Sequence, residues 1–167
     1  KVLNITDCLA ELSALLRRLL GANVDLKIKH DRDLGRVFMD KGQFDQIIMN
    51  VMVNARDAMA SGGTLTLTTQ NCELKKAKRL AHNILPAGSY VLLDIMDTGE
   101  GIKPEIIDRI FDPFFSTKKI GEGTGLGLSL VYGIVKQAGG VVSATSKVGE
   151  GTTFSLYLPH CTPEEAA

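Results

Sequence analysis

Residues 97–101 read Asp-Thr-Gly-Glu-Gly, residues 111–118 Phe-Asp-Pro-Phe-Phe-Ser-Thr-Lys and residues 121–128 Gly-Glu-Gly-Thr-Gly-Leu-Gly-Leu. Two glycine clusters thus bracket a segment carrying Lys118 and several aromatics. The run before the first cluster, Tyr90 to Asp97, is mostly apolar and rich in β-formers, so Asp97 falls where a buried strand ends. After the second cluster, Leu126 to Gln137 is apolar at helical spacing, so Gly123, Gly125 and Gly127 open a helix. Glycine permits close backbone approach, and the first N–H groups of a helix lack intrahelical partners, which suits a phosphate group. Either cluster alone reads equally well as ordinary turn glycine, because 17 of the 167 residues are glycine.

A second set of polar residues lies on a helix that the pattern predicts from Lys41 to about Ser61, stopped by Gly62-Gly63. At about 100° per residue, Ile47, Ile48, Val51, Met52, Ala55, Ala58 and Met59 share one arc, with Asn50, Asn54 and Asp57 together beside it. Two Asn one turn apart beside a core face are either surface residues or metal ligands.

The elements that must position these groups follow from periodicity. Ile5 to Leu20 is an amphipathic helix with Ile5, Leu9, Leu12, Leu15, Leu16, Leu19 and Leu20 on one side. Val24 to His30 alternates strictly and reads as a half-buried strand ending in His30, with a short strand at Arg36 to Met39 after it. Thr64 to Thr69 alternates Thr with Leu and is expected to pair with Tyr90 to Asp97. The polar connection between them, with Lys75, Lys76, Lys78, Arg79 and His82, reads as a solvated loop. Ile102, Phe111, Phe114 and Phe115 alternate with charges and with Pro104 and Pro113, so about 102–122 is expected to be a lid with few permanent contacts. Val141 to Ser146 and Thr153 to Leu158 form a hairpin around Lys147 to Gly151. The fold class is α/β: a two-layer sandwich of a mixed, mostly antiparallel sheet under three helices.

The length suits one domain, expected over residues 1–160 with a tail or linker at 161–167. Nineteen basic and nineteen acidic residues leave no net field for nucleic acid or an anionic membrane, and no apolar run is long enough to insert into one. Cys8, Cys72 and Cys161 have no metal-ligand spacing and fit reduced thiols in a cytoplasmic setting. The chain starts at Lys1 and is expected to be cut from a longer protein.

In their order along the chain, these stretches resemble the boxes of the histidine kinase ATP-binding domain, within the superfamily shared with gyrase, Hsp90 and MutL. The resemblance covers nearly the whole chain and implies the Bergerat ATP-binding fold. Asn50-Val-Met-Val-Asn54-Ala-Arg-Asp-Ala58 is similar to the family's N box, which makes Asn54 the Mg²⁺ ligand and puts Asn50 where hydrolysing relatives carry a water-activating Glu. Many members carry Lys where this chain has Asp57, and Arg56 projects away from Asn54. Asp97, Gly99, Gly101 and Ile102 then correspond to the first glycine box, with Asp97 accepting from the adenine amino group. Phe111, Thr117 and Lys118 belong to the lid, Lys118 reaching the γ-phosphate. Gly123, Thr124, Gly125, Leu126, Gly127 and Leu128 cradle the phosphates. Thr152, rather than the adjacent Thr153, helps Asp97 hold the base, the two pointing to opposite faces of the strand.

The resemblance implies the ATP- and Mg²⁺-binding catalytic domain of a two-component sensor kinase of the hybrid type. It would transfer the γ-phosphate to a His on a separate dimerisation domain, with a response-regulator receiver downstream. His30-Asp31-Arg32 is not read as that acceptor, because His30 ends a strand. Asn50 cannot take a proton from water, which favours transfer to an imidazole. The alternative is an ATP-gated binding module or ATPase of the gyrase, Hsp90 or MutL type. Residues 124–136 also resemble the matching stretch of cell-cycle hybrid kinases that work in second-messenger pathways. Tyr132 and Lys136, one turn apart, would then form a regulatory face for cyclic di-GMP, or simply a packed Tyr beside a solvated Lys.

Overall fold

A computed structural model describes residues 2–80, 83–112 and 127–161. The elements run β1 (Val2–Asn4), α1 (Ile5–Leu20), β2 (Val24–His30), β3 (Arg36–Phe38), α2 (Lys41–Ala58), β4 (Gly63–Leu74), β5 (Lys78–Leu80), β6 (Asn83–Leu85), β7 (Gly88–Asp97), α3 (Gly127–Gln137), β8 (Val141–Lys147) and β9 (Gly151–Cys161). A 3-10 turn, Ile107–Arg109, lies between β7 and α3.

The seven-stranded sheet has the order β1-β3-β9-β7-β4-β2, with β8 also on β9. Every pair is antiparallel except β2 with β4. This is the expected mixed sheet, and α1, α2 and α3 pack on one of its faces. Asn4 caps α1 by accepting from the Asp7 N–H, and Asp40 caps α2 through Gln43. Phe44, Ile47, Ile48, Val51, Met52 and Ala55 of α2 are buried, meeting Leu65 and Leu67 of β4, Leu93 and Ile95 of β7 and Phe154 and Leu156 of β9 in one core. His30 does end β2, with Nδ1 3.1 Å from the hydroxyl of buried Thr69 on β4.

Several expectations are corrected. The helix expected to Ser61 ends at Ala58, because Met59 leaves helical backbone and Gly62 and Gly63 serve the turn into β4. Leu15 is 45% exposed, and Cys8 takes a place on the buried face of α1. The polar connection is largely strand: β4 runs on to Leu74, β7 starts at Gly88, and β5 and β6 form a hairpin between them. That hairpin covers a second apolar cluster of Leu85, Tyr90, Leu92 and Tyr157, with the Tyr90 hydroxyl donating to the Pro86 carbonyl at 2.8 Å. The charges of Lys78 and Arg79 in β5 concealed it. β9 continues beyond the expected Leu158 to Cys161, buried and paired with Arg36.

The described part of the expected lid is packed rather than loose. Backbone bonds from Ile106 and Ile107 to Lys103, Arg109 to Ile106 and Asp112 to Arg109 wind it into helical turns. Those turns bury Ile110 and lay Ile107 and Phe111 against the core. Apolar residues at 106, 107, 110 and 111 have helical spacing, which the alternation of aromatics with charges masked. His82 and residues 113–126, which include Phe114, Phe115, Thr117, Lys118, Gly123, Thr124, Gly125 and Leu126, lie outside the described residues.

Candidate functional site

Asp97 ends β7 and is only 3% exposed, although it is a carboxylate. Its Oδ1 accepts from the Gly99 N–H at 2.9 Å and the Thr152 N–H at 3.2 Å. Oδ2 accepts from no described group. Burial pushes the carboxyl above the ordinary range, while the N–H groups of Gly99 and Thr152 pull it back. A buried carboxylate with one oxygen anchored and the other open is suited to a ligand donor.

Sheet register builds the rest of this end of the site. Leu65 on β4, Asp97 on β7, Thr152 on β9 and Ser146 on β8 stand directly opposite one another in one row. Opposed residues of an antiparallel pair share a face, so Asp97, Thr152 and Ser146 all point to the helical layer. Thr152 is 4% exposed and Thr153 faces the other way, which makes Thr152 the Thr beside Asp97. Ser146, which the sequence pattern marks only as a strand end, bonds three partners. Its Oγ is 2.8 Å from the Thr152 Oγ1, accepts from the Ile102 N–H at 2.7 Å and donates to the Gly151 carbonyl at 2.9 Å. Counting strand pairs outward from the 147–151 turn sets Ser146 opposite Thr152, so the signal was present.

Gly99 and Gly101 have a packing reason for being glycine. A Cβ on Gly99 would lie 2.6 Å from the Ala58 carbonyl oxygen, and one on Gly101, at φ +79°, 2.4 Å from that of Lys147. The turn is held on both sides by Glu100 N–H to Ala58 O at 3.1 Å and Gly149 N–H to Glu100 O at 2.9 Å. Ile102 packs against the core where this turn leads into the lid segment.

Along α2, Asn54 sits one turn before Ala58, and Asn50 one turn before Asn54. Asn54 is half-buried and its amide bonds no described group, so its oxygen is open to a ligand. The Asn50 amide donates to the Gly127 carbonyl at 3.3 Å, tying α2 to the first residue of α3. Leu128 follows, packed against the core. Arg56 turns to the adjacent Asp57 carboxylate at 3.4 Å. No group of three or more His, Cys, Asp or Glu among the described residues is placed to hold a metal ion.

Tyr132 and Lys136 do meet. The ammonium donates to the Tyr132 hydroxyl at 3.1 Å and lies 5.3 Å from the ring centre. Phe111 packs on the Tyr132 ring at 5.7 Å and edge-on to Phe154 at 6.3 Å, linking the lid segment to α3 and the core. Tyr132 and Lys136 also line a shallow hollow with Gly140, Val141 and Val142.

Residues 39–162 match the family described as histidine kinase-, DNA gyrase B- and HSP90-like ATPase. Over all 167 residues the chain is 50% identical to the sensor kinase CckA of Brucella abortus (strain 2308), spanning 18% of that protein's length. Among solved structures it is similar to the nucleotide-free catalytic domain of histidine kinase ThkA, with a TM-score of 0.70 and 25% identity, covering 99% of this chain and 97% of the other. It also matches full-length ShkA in complex with AMPPNP at a TM-score of 0.73 and 25% identity, covering 97% of this chain and 31% of the other.

Proposed function

This chain belongs to the histidine kinase-, DNA gyrase B- and HSP90-like ATPase family, and has its Bergerat fold; from that premise we propose that it is the ATP-binding catalytic domain of a two-component sensor histidine kinase of the hybrid type. The observation that carries the reading is Asp97, buried, with Oδ1 held by two backbone N–H groups and Oδ2 open. Ionised, Oδ2 accepts from the 6-amino group of adenine, a hydrogen bond to a charged group worth about 1.5–3 kcal/mol.

The triphosphate then runs along α2. From Ala58 beside the glycine turn to Asn50 beside Gly127 is about 12 Å at the usual helical rise. The Gly127 end of α3 and the preceding glycines at 123 and 125, with Thr124, Leu126 and Leu128, take the phosphates. Thr117 and Lys118 close over them from the lid. Asn54, with its open amide oxygen, would hold Mg²⁺, whose other ligands come from phosphate and water; when bound, the ion neutralises charge as the γ-phosphate leaves. In AMPPNP-bound ShkA the similarity extends across this chain, which favours the same class of ligand here.

Asn50 occupies the place from which a base would reach an attacking water, and its amide is already engaged by Gly127. The acceptor is therefore an imidazole that needs no base: a His on the dimerisation domain of the same protein, with a receiver domain taking the phosphate on. The setting is the cytoplasm, where ATP is abundant. Mixing the chain with labelled ATP, Mg²⁺ and its dimerisation domain should yield acid-labile phosphohistidine. Brisk phosphate release by the chain alone would favour the gyrase- or Hsp90-type ATPase instead.

A regulatory reading of Tyr132 and Lys136 is favoured by their contact over the hollow beside Val141. Cyclic di-GMP is the ligand to titrate, and Tyr132→Ala should abolish the response. Equal binding by parent and variant would return this pair to simple packing.

A further inference from the structure

Ser146 touches neither glycine cluster in sequence and belongs to no motif, yet its hydroxyl joins the root of the lid segment, the β8–β9 turn and the base-facing Thr152. A hydroxyl has one proton and two lone pairs. The Gly151 carbonyl can only accept, so the 2.9 Å contact takes the Ser146 proton. The Ile102 N–H can only donate, so the 2.7 Å contact takes one lone pair. What remains on Ser146 is a single lone pair, and the 2.8 Å contact to Thr152 is satisfied only if Thr152 donates. Thr152 thereby spends its own proton on Ser146 and turns only lone pairs toward the pocket.

We infer that Ser146 is a specificity-determining positioning residue, which fixes the Thr152 hydroxyl as an acceptor so that the pocket selects adenine over guanine. The inference rests on the ATP-binding reading above. Asp97 when ionised is acceptor-only, and with Thr152 locked the base meets acceptors on both strands. The adenine 6-amino group is a donor and fits them, directly or through a water. The guanine 6-oxo group is an acceptor and meets a carboxylate and a lone pair. If Thr152 were free to turn, it would donate to that oxygen and part of the discrimination would vanish. Thr152 and Ser146 are held face to face by strand register, so no other described hydroxyl substitutes for either.

The test compares ATP and GTP affinities by calorimetry in the parent, Ser146→Ala, Thr152→Val and the double variant. In the parent ATP binds more tightly than GTP. Ser146→Ala should narrow that ratio by about three- to ten-fold, the worth of one ordinary hydrogen bond, chiefly by improving GTP. In the Thr152→Val background the same change should leave the ratio where it is. Ser146→Cys, close in size but a weak acceptor, should narrow the ratio in the same direction and serves if the alanine variant does not fold. Ser146→Thr should keep the parent ratio. A folded Ser146→Ala or Ser146→Cys that binds both nucleotides more weakly at an unchanged ratio would make Ser146 merely structural and overturn the inference. So would equal narrowing with and without the Thr152 hydroxyl. A parent that binds no nucleotide would instead overturn the underlying reading.

Discussion

Asp97 is where stability and function pull apart. Its carboxyl is raised by burial, so the folded chain holds the proton more tightly than the unfolded one. By linkage, the stability this group contributes is full below the ordinary carboxylate value, near about 3.9, and is lost as pH rises through the raised value. Ionised, the group costs the free domain stability and is ready for a base amino group. Asp97→Asn keeps the oxygen that accepts from Gly99 and Thr152 and replaces the open one by a donor. It should therefore melt no lower than the parent without ATP, yet bind ATP ten- to over a hundred-fold more weakly. Unchanged ATP affinity would remove Asp97 from the adenine site, and the carbon-13 shift of its carboxyl should titrate above the ordinary range. Asn54→Ala, which deletes an amide with no described partner, should cost little stability. It should weaken the Mg²⁺ dependence of binding, measured by titrating the metal at fixed ATP.

Among elements, the segment after the first glycine turn is the one expected to respond to nucleotide. The amides of Ile106, Ile107, Arg109 and Asp112 already have backbone partners. Phe111 lies between Tyr132 of α3 and Phe154 of β9. Saturating ATP with Mg²⁺ should slow hydrogen exchange at those amides, and exchange unchanged throughout 102–112 would leave this segment outside any closure. The turn itself has little room. Gly99→Ala drives a methyl to 2.6 Å from a backbone carbonyl and should destabilise by about 1–3 kcal/mol in a denaturant melt. Midway along α2, Asn50→Ala frees the Gly127 carbonyl and should loosen the first turn of α3, seen as faster exchange there.

Across the whole molecule, the helices, the alternating strands and the Asp97 and Asn54 positions were legible because each rests on a local pattern or a short motif. Leu15 was misassigned because, at about 100° per residue, it falls just outside the stripe that α1 buries, whose edge on that side is held by the small Cys8. The β5–β6 hairpin was hidden by its charge, since only Leu85 is fully buried beneath it. Ser146 escaped because its role depends on a hydrogen-bond network that pattern does not display. Phe154, fully buried under Phe111, unites these parts; Phe154→Ala should cost about 3–5 kcal/mol of stability and loosen the lid segment with it. The row formed by Asp97, Thr152 and Ser146 also bears on how such a gene can change length. Side chains alternate with a period of two, so one residue inserted within the N-terminal half of β9 would exchange Thr152 for a neighbour and turn its hydroxyl to the opposite face. Gly151, whose added Cβ would sit 2.0 Å from the Asp97 carbonyl, resists any such slide. Insertions and deletions are thus expected to be excluded from the strand side of the 147–151 turn, and to be tolerated, if anywhere nearby, only at its exposed tip.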